Sequence, residues 1–449
     1  MFLSWLIPQI VGQFRGDSRK LGAFVRKQYC SKRRTQPLKW RLHLTIDLAA
    51  TFEQVMTGQP MDLASFYRQA REATPIFRSE VFNGWVVTRY HDVKRVLTDE
   101  QCFGPLTYGA GSSIIHGRSI LQMEGDEHRR KGAILARTLR NTRLLDGVQR
   151  EYTRALADSL FAKFPVDGPV DLKSMFTTPL PLGVTSWVMD IHEAPNFRSN
   201  YDAIVAAGAS NLRGDPSVVE RAIVAKTELF AFITPLIEQR RANPKDDLLS
   251  TLCSAEYEGE RLSDDEIRSF CSFLLAAGVE TTDRSLSSLI KYLFLQPDLW
   301  QRLRAERSLI PAAIAEGLRW APPVHAVSRG VRVDTEIGGQ LVREGERIVT
   351  LMASGNRDPD VFANPDVFDI ERFKDVADRE FSVKATILSF GYGRHLCTGS
   401  LLAKMEMVEC LEILLDEYES AEFTQGVPDD VGFVLRSPEH LIVTPRKAR

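Results

Sequence analysis

Apolar positions recur at helical spacing through most of the chain, interrupted near both ends by short runs with the period of strands. Phe66–Arg71 and Tyr90–Leu97 read as helices. Between them Pro75–Arg78 and Gly84–Thr88 read as two strands, bracketed by an Asn83-Gly84 turn. Residues 103–120 carry Gly, Ser and Ile without a period and predict a long surface loop. At Glu124–Lys131 acids precede bases, the order that a helix dipole favours. From about 145 to 250 the pattern is mostly helical and punctuated by prolines; Val218–Arg241 is its most regular stretch and stops before Asn243-Pro244. Leu262-Ser263-Asp264-Asp265-Glu266 resembles a capping box, and it opens a helix predicted to run to Leu295. Ala312–Trp320 is another helix. Pro322–Arg329, Thr335–Val342, Arg347–Leu351 and a hairpin over Val431–Val443 supply the remaining strands. The count predicts a mainly α fold with small β-sheets, an α+β arrangement.

Composition narrows the class only slightly. Hydrophobic content of 44%, charged content of 26% and a formal net charge of −2 suit a globular enzyme and argue against a nucleic-acid binder. The six cysteines (Cys30, Cys102, Cys253, Cys271, Cys397, Cys410) have no paired spacing, which suits a reducing, cytoplasmic compartment. The first 14 residues are apolar but short and are interrupted by Pro8; behind them Arg15–Arg41 holds ten Lys or Arg against the single acid Asp17. Residues 1–60 are therefore read as a basic N-terminal leader, disordered or in weak peripheral contact with a membrane. The folded body is expected over 61–449.

Three places break the plain pattern. Cys397 lies in Phe390-Gly-Tyr-Gly-Arg-His-Leu-Cys-Thr-Gly399, ahead of Leu401, Leu402, Met405 and Val408 at helical spacing. A cysteine at a helix N-terminus has a stabilised thiolate, and Gly391 and Gly393 allow the backbone to fold under it. Glu280 falls in the apolar run Phe273–Thr282 beside Gly278, both costly there: an unpaired buried carboxylate is expensive, and a mid-helix glycine costs about 1 kcal/mol. Glu316 and Arg319 stand three apart, able to pair on one helix face. The bland readings are an inert cysteine after a glycine turn, a kinked helix with a paired acid, and a surface ion pair. His325, alone on a strand, is read as packed rather than metal-binding.

Phe390, Gly391, Gly393, His395, Cys397 and Gly399 together resemble the thiolate loop of the cytochrome P-450 superfamily, soluble bacterial type. Ala277-Gly278-Val279-Glu280-Thr281 resembles that family's oxygen-binding motif, and Glu316-x-x-Arg319 its buried pair. The resemblance covers about 61–449 and implies one large haem b domain with Cys397 as the iron ligand. Phe390, Gly391, His395 and Gly399 would belong to the cofactor site, and His128 and Arg329 would reach the propionates. The family places a further Arg where this chain has Gly132, which leaves Arg129 or Arg130 to substitute. Arg129, Arg130 and Lys131 would otherwise face an acidic electron-transfer partner.

By the same resemblance Gly278 opens space for dioxygen, Thr281 hydrogen-bonds it, and Glu280 relays protons. Arg372 completes the Glu316–Arg319 pair. Leu106, Ile114, Ile115, Ile120, Val324, Ala326, Val327 and the Phe433-Val434-Leu435 turn are candidate substrate contacts. The implied activity is a haem-thiolate monooxygenase of secondary metabolism, using O2 on a hydrophobic small molecule such as a terpenoid, fatty acid or polyketide. No dinucleotide signature is present, so electrons are expected from a ferredoxin or flavodoxin with its reductase, to a monomeric enzyme. The alternatives are desaturation, rearrangement, peroxide-driven oxidation, or a non-enzymatic haem ligand sensor.

Overall fold

A computed structural model describes residue 52 and residues 62–448, apart from 81, 106–110, 192–195 and 209–214. The leader, Phe52 aside, and Leu106 lie outside the described residues. Asp62 caps the first helix, α1 (Leu63–Ala73), by accepting from the Ala64 and Ser65 amides. Strands β1 (Ile76–Ser79) and β2 (Gly84–Val87) form the expected antiparallel hairpin, with Asn83 at φ 45° in its turn. Next come α2 (Tyr90–Thr98) and β3 (Phe103–Pro105). The stretch expected to be one long loop is thus partly ordered: it holds β3, a short helix at Gly111–His116 and a 3₁₀ turn at Ile120–Gln122. The Ser119–Gln122 capping box that starts the turn is a local signal, and the missing period concealed it.

The helical middle contains α3 (Gly125–Leu139), α4 (Arg150–Phe161), α5 (Pro179–Val188), α6 (Phe197–Ala206) and α7 (Pro216–Ala242). The longest helix, α8 (Asp264–Phe294), runs 31 residues, and Ser263 and Glu266 cap it reciprocally as expected. It has no kink at Gly278; the helix passes through unbroken. Helix α9 (Ile310–Trp320) leads to β4 (Ala326–Val331) and β5 (Arg347–Leu351), and α10 (Ser400–Glu417) follows the cysteine loop. Among the described residues no helix is long and apolar enough to cross a membrane.

The main sheet has the order β1-β2-β5-β4-β3, with β5 parallel to β2 and antiparallel to β4. Side-chain alternation lets it serve two cores. Val87 and Ile348 join the large helical core, while Val86 and Val349 join a smaller aromatic one with Phe66, Phe77, Phe82 and Phe433. Phe52, fully buried, sits in that second core, 5.1 Å from the Phe433 ring and 5.5 Å from Phe77. The folded body therefore reaches upstream of Met61, because this core is completed by an aromatic residue ahead of it. The expected terminal hairpin is also different. Asp430–Val431 pairs with Ser437–Pro438, and Ile442–Lys447 belongs to another sheet, between Tyr418–Phe423 and Val170–Asp171.

Glu316 and Arg319 are both fully buried, with Arg319 Nε and Nη2 each 2.7 Å from one Glu316 oxygen. Arg372 Nε stands 3.4 Å from Glu316, and the Asp369 amide donates to it at 2.8 Å. Arg319 also donates to the carbonyls of Asn356, Pro365 and Val367 at 2.9–3.1 Å. Asn356 carries the linkage onward: its side chain accepts from the Leu388 amide at 2.7 Å and donates to Ser389 at 2.9 Å, immediately before Phe390. Removing one partner of such a pair strands a buried charge, at a cost of about 3–5 kcal/mol. Glu316→Gln is expected to lose about that much in urea titration; a loss below about 1 kcal/mol would show the pair is not what holds this region.

His116 and His325 are buried, and burial lowers their pKa values to about 4 and about 3. The unfolded chain takes up these protons near pH 6.5 and the folded protein does not, so stability falls as pH falls from about 6.5 towards 4. In His116→Gln the slope of unfolding free energy against pH over this window should be shallower by up to about 1.4 kcal/mol per unit. Identical slopes in both proteins would refute the assignment.

Candidate active site

The cysteine loop is held by its own backbone. Gly391 and Gly393 both take φ +72°, a left-handed conformation that favours glycine, and a Cβ on Gly393 would lie 3.1 Å from the Leu97 carbonyl. The Cys397 amide donates to the Phe390 carbonyl at 2.9 Å, which closes the loop. Arg140, at the end of α3, donates to the Cys397 carbonyl at 2.9 Å and to that of Thr398 at 3.4 Å. Phe390 packs on Phe381, its ring 5.6 Å away. Gly399 is the N-cap of α10, and its N–H points at the Cys397 sulfur as the sequence suggests.

Cys397 opens onto a cavity of about 300 Å³. Burial pushes its thiol above the ordinary value, while the Gly399 N–H and Arg140 pull it back. Desolvation thus outweighs the Gly399 N–H and Arg140 at this sulfur. The cavity walls are largely apolar, with Leu135, Met189, Leu248, Phe273, Val324 and Val327 among them. Ile120 lines it, as expected. Ile115 is instead buried in the core and Ile114 faces outward, because the Gly111–His116 helix turns them away from the cavity. Ala326 and Phe433 are in the second core, Val434 packs against that core, and Leu435 bridges to the backbone of Val324; none lines the cavity. The 430–438 hairpin is braced against the back of this segment, with the His325 amide donating to the Val434 carbonyl at 2.8 Å.

One edge of the cavity gathers His128, His395 and Arg329. The two rings lie 4.1 Å apart. Burial lowers both pKa values, that of His395 to about 3, with help from His128 and Arg329. Among the described residues His128 Nδ1 is buried without a partner, and Arg329 donates only to the neighbouring Ser328 carbonyl, at 3.1 Å. Donors left open beside a sulfur ligand fit a macrocycle with pendant carboxylates. Neither proposed substitute for an arginine at position 132 joins them. Arg129 pairs with Asp126 and Glu258, and Arg130 with Glu258 and Glu260. Lys131 is bound to Glu127 and Glu266. The acidic side chains that these bases meet belong to this chain: the first turn of α3, the Glu256–Arg261 hairpin and the α8 cap.

On α8, Ala277, Gly278 and Thr281 line the cavity. Thr281 Oγ1 donates to the Ala277 carbonyl at 2.7 Å. A side chain on Gly278 would meet Thr185 Oγ1 of α5 at 2.9 Å, so the space that this glycine leaves is taken by Thr185. Thr185 Oγ1 is itself buried without a partner among the described residues, and Thr185 lines the cavity. Glu280 turns away from the cavity to Arg284, 2.6 Å from Nε, and accepts from Tyr201 of α6 at 3.4 Å. Glu406 of α10 also lines the cavity; burial raises its pKa well above the ordinary carboxylate value and Thr282 pulls it back. Its signal, an acid in an apolar helix, was the same as that of Glu280. Thr185 carried no signal in the sequence.

Residues 53–444 match the family model Cytochrome P450. The chain belongs to the cytochrome P450 family. It is thus a haem-thiolate oxidoreductase, and the donor set around Cys397 fits that group. The chain is 30% identical over 382 residues to pulcherriminic acid synthase of Bacillus subtilis (strain 168), covering 84% of this chain and 94% of that protein. It is 31% identical to nocardicin C N-oxygenase of Nocardia uniformis subsp. tsuyamanensis, covering 86% and 97%. The crystal structure of CYP109E1 from Bacillus megaterium in complex with testosterone superposes with a TM-score of 0.75 at 25% identity, covering 86% of this chain and 99% of that one.

Proposed function

We propose that this P450 is a monooxygenase that inserts one atom of O2 into a C–H bond of a hydrophobic small molecule, with a terpenoid, fatty acid or polyketide as the substrate class. The observation that carries this reading is that the Cys397 sulfur and the Thr281 side chain open onto the same largely apolar cavity. Haem bound through Cys397 supplies the electron-rich iron at which O2 is reduced and its O–O bond cleaved. The chain's own residues do the rest. Cys397 would give up its thiol proton on ligation, His128, His395 and Arg329 would hold the propionates, and the apolar walls would orient substrate and exclude water.

In this reading Thr281 holds a proton at the oxygen. Its side chain lines the cavity, and its hydroxyl rests on the Ala277 carbonyl. Glu280 supplies that proton after release from Arg284 and Tyr201, so its service depends on a rearrangement at α6. Gly278 serves by admitting Thr185, which brings a second hydroxyl to the same wall. The similarity to a testosterone-bound relative supports a hydrophobic ligand. The domain reading extends upstream to include Phe52. A ferredoxin or flavodoxin with its reductase supplies the electrons, and the basic leader makes at most peripheral contact from the cytoplasm.

Turnover under ¹⁸O2 with NADPH, a ferredoxin and its reductase should place one labelled atom in the product; desaturated product without label would refute oxygen insertion. Cys397→Ser should abolish the red-shifted band of the reduced carbon-monoxide complex, and its survival would remove Cys397 as the ligand. In Thr281→Ala, product per electron should fall several-fold as hydrogen peroxide rises. Unchanged coupling would take Thr281 out of the proton path.

A further inference from the structure

Behind the wall of the main cavity lies a second cavity of about 210 Å³, and its chemistry is the opposite of the first. The two share one strip of backbone: Val324 and Val327 face the main cavity, and His325 between them faces the second. Tyr67 of α1 also lines it, its hydroxyl 2.8 Å from His325 Nδ1; both side chains are more than nine-tenths buried. Burial, then Arg436 and Arg357, keeps the His325 ring neutral. When Tyr67 donates to Nδ1, the ring proton sits on Nε2, for which no partner exists among the described residues.

Arg357 and Arg436 line the same cavity as the Tyr67–His325 pair. Arg436 donates to the Gly432 carbonyl at 2.8 Å, and no carboxylate pairs with it among the described residues. Arg357 lies over the Trp320 ring at 3.8 Å and donates to the Trp320 carbonyl at 3.0 Å. Its one carboxylate, Asp366 at 3.4 Å, is claimed more closely by Arg68 at 2.8 Å. The acids on the rim are already committed. Asp62 caps α1, and Asp430 pairs with Lys291 at 2.5 Å. Of the two guanidinium groups lining this polar hollow, Arg357 therefore shares its one carboxylate with Arg68, and Arg436 has none among the described residues, while the lining acids Asp62 and Asp430 are engaged elsewhere.

We propose that this second cavity binds a small oxyanion, a phosphate or carboxylate group, between Arg357 and Arg436, with the Tyr67–His325 pair as a hydrogen-bonding wall. Forked donors match the paired oxygens of either group. The site is independent of the chemistry at Cys397.

Calorimetric titration of the haem-loaded enzyme with inorganic phosphate and with sodium acetate, at ionic strength held by chloride, tests this. Saturable binding of either anion is expected, weakened at least tenfold in Arg436→Gln, restored in part by Arg436→Lys, and unchanged in Arg446→Gln at an exposed position. Binding of phosphate alone or acetate alone assigns the group. Binding of neither, or equal binding by all variants, overturns the proposal. Should Arg436→Gln fail to fold, crystals of the unaltered enzyme grown with phosphate decide the matter: an anion between the two guanidinium groups supports the site, and its absence there overturns it.

Discussion

The buried ion pair of Glu316 and Arg319 is the constraint from which the geometry of the cysteine loop follows. With neither side chain reachable by water, each charge has to be answered inside the protein. Glu316 takes two guanidinium nitrogens, an amide and the approach of Arg372; Arg319 spends its remaining donors on three carbonyls from the 356–367 segment. That segment then has only one place to lie, and Asn356 within it fixes Leu388 and Ser389 by side-chain hydrogen bonds. The loop that presents Cys397 begins one residue later. A charge pair far from the chemistry thus sets the position of the sulfur.

Around the cavity, polar groups are sparse, and each is either tethered or left open. Glu280 and Thr281 are tethered, to Arg284 and to the Ala277 carbonyl, whereas His128 Nδ1 and Thr185 Oγ1 are open among the described residues. Open donors and acceptors inside a protein are expensive, so their grouping at one cavity marks where something else completes them. The tethered pair carries a different message. A carboxylate already engaged in an ion pair is unavailable until its partner moves, and the Tyr201 hydroxyl ties Glu280 to helix α6 as well.

The main sheet divides the molecule in a way that explains several displaced expectations. Because side chains alternate across a strand, Val327 reaches the cavity while Ala326 enters the aromatic core, and a pattern of apolar residues alone does not say which. Phe433 looked suited to a substrate contact for the same reason; its ring instead closes the core around Phe52. Arg129 and Arg130 were basic residues near a site needing a cation, yet the Glu256–Arg261 hairpin, distant in sequence, holds them.

Local signals determined what local physics controls. The capping box at Ser263–Glu266, the glycine turns before Cys397, the Asn83-Gly84 hairpin and the unbroken run of α8 depend on neighbours within a few residues and were legible in the chain. The motifs around Cys397, Thr281 and Glu316 were legible too, because their residue types and spacings are specific. Tertiary structure alone decided which side chains meet: that Thr185 fills the space at Gly278, that Glu280 faces Arg284 rather than the cavity, that Glu406 joins the cavity wall, and that two arginines line one cavity with His325. These are contacts between segments tens to hundreds of residues apart, or choices of helix face, and no periodicity along the chain encodes them.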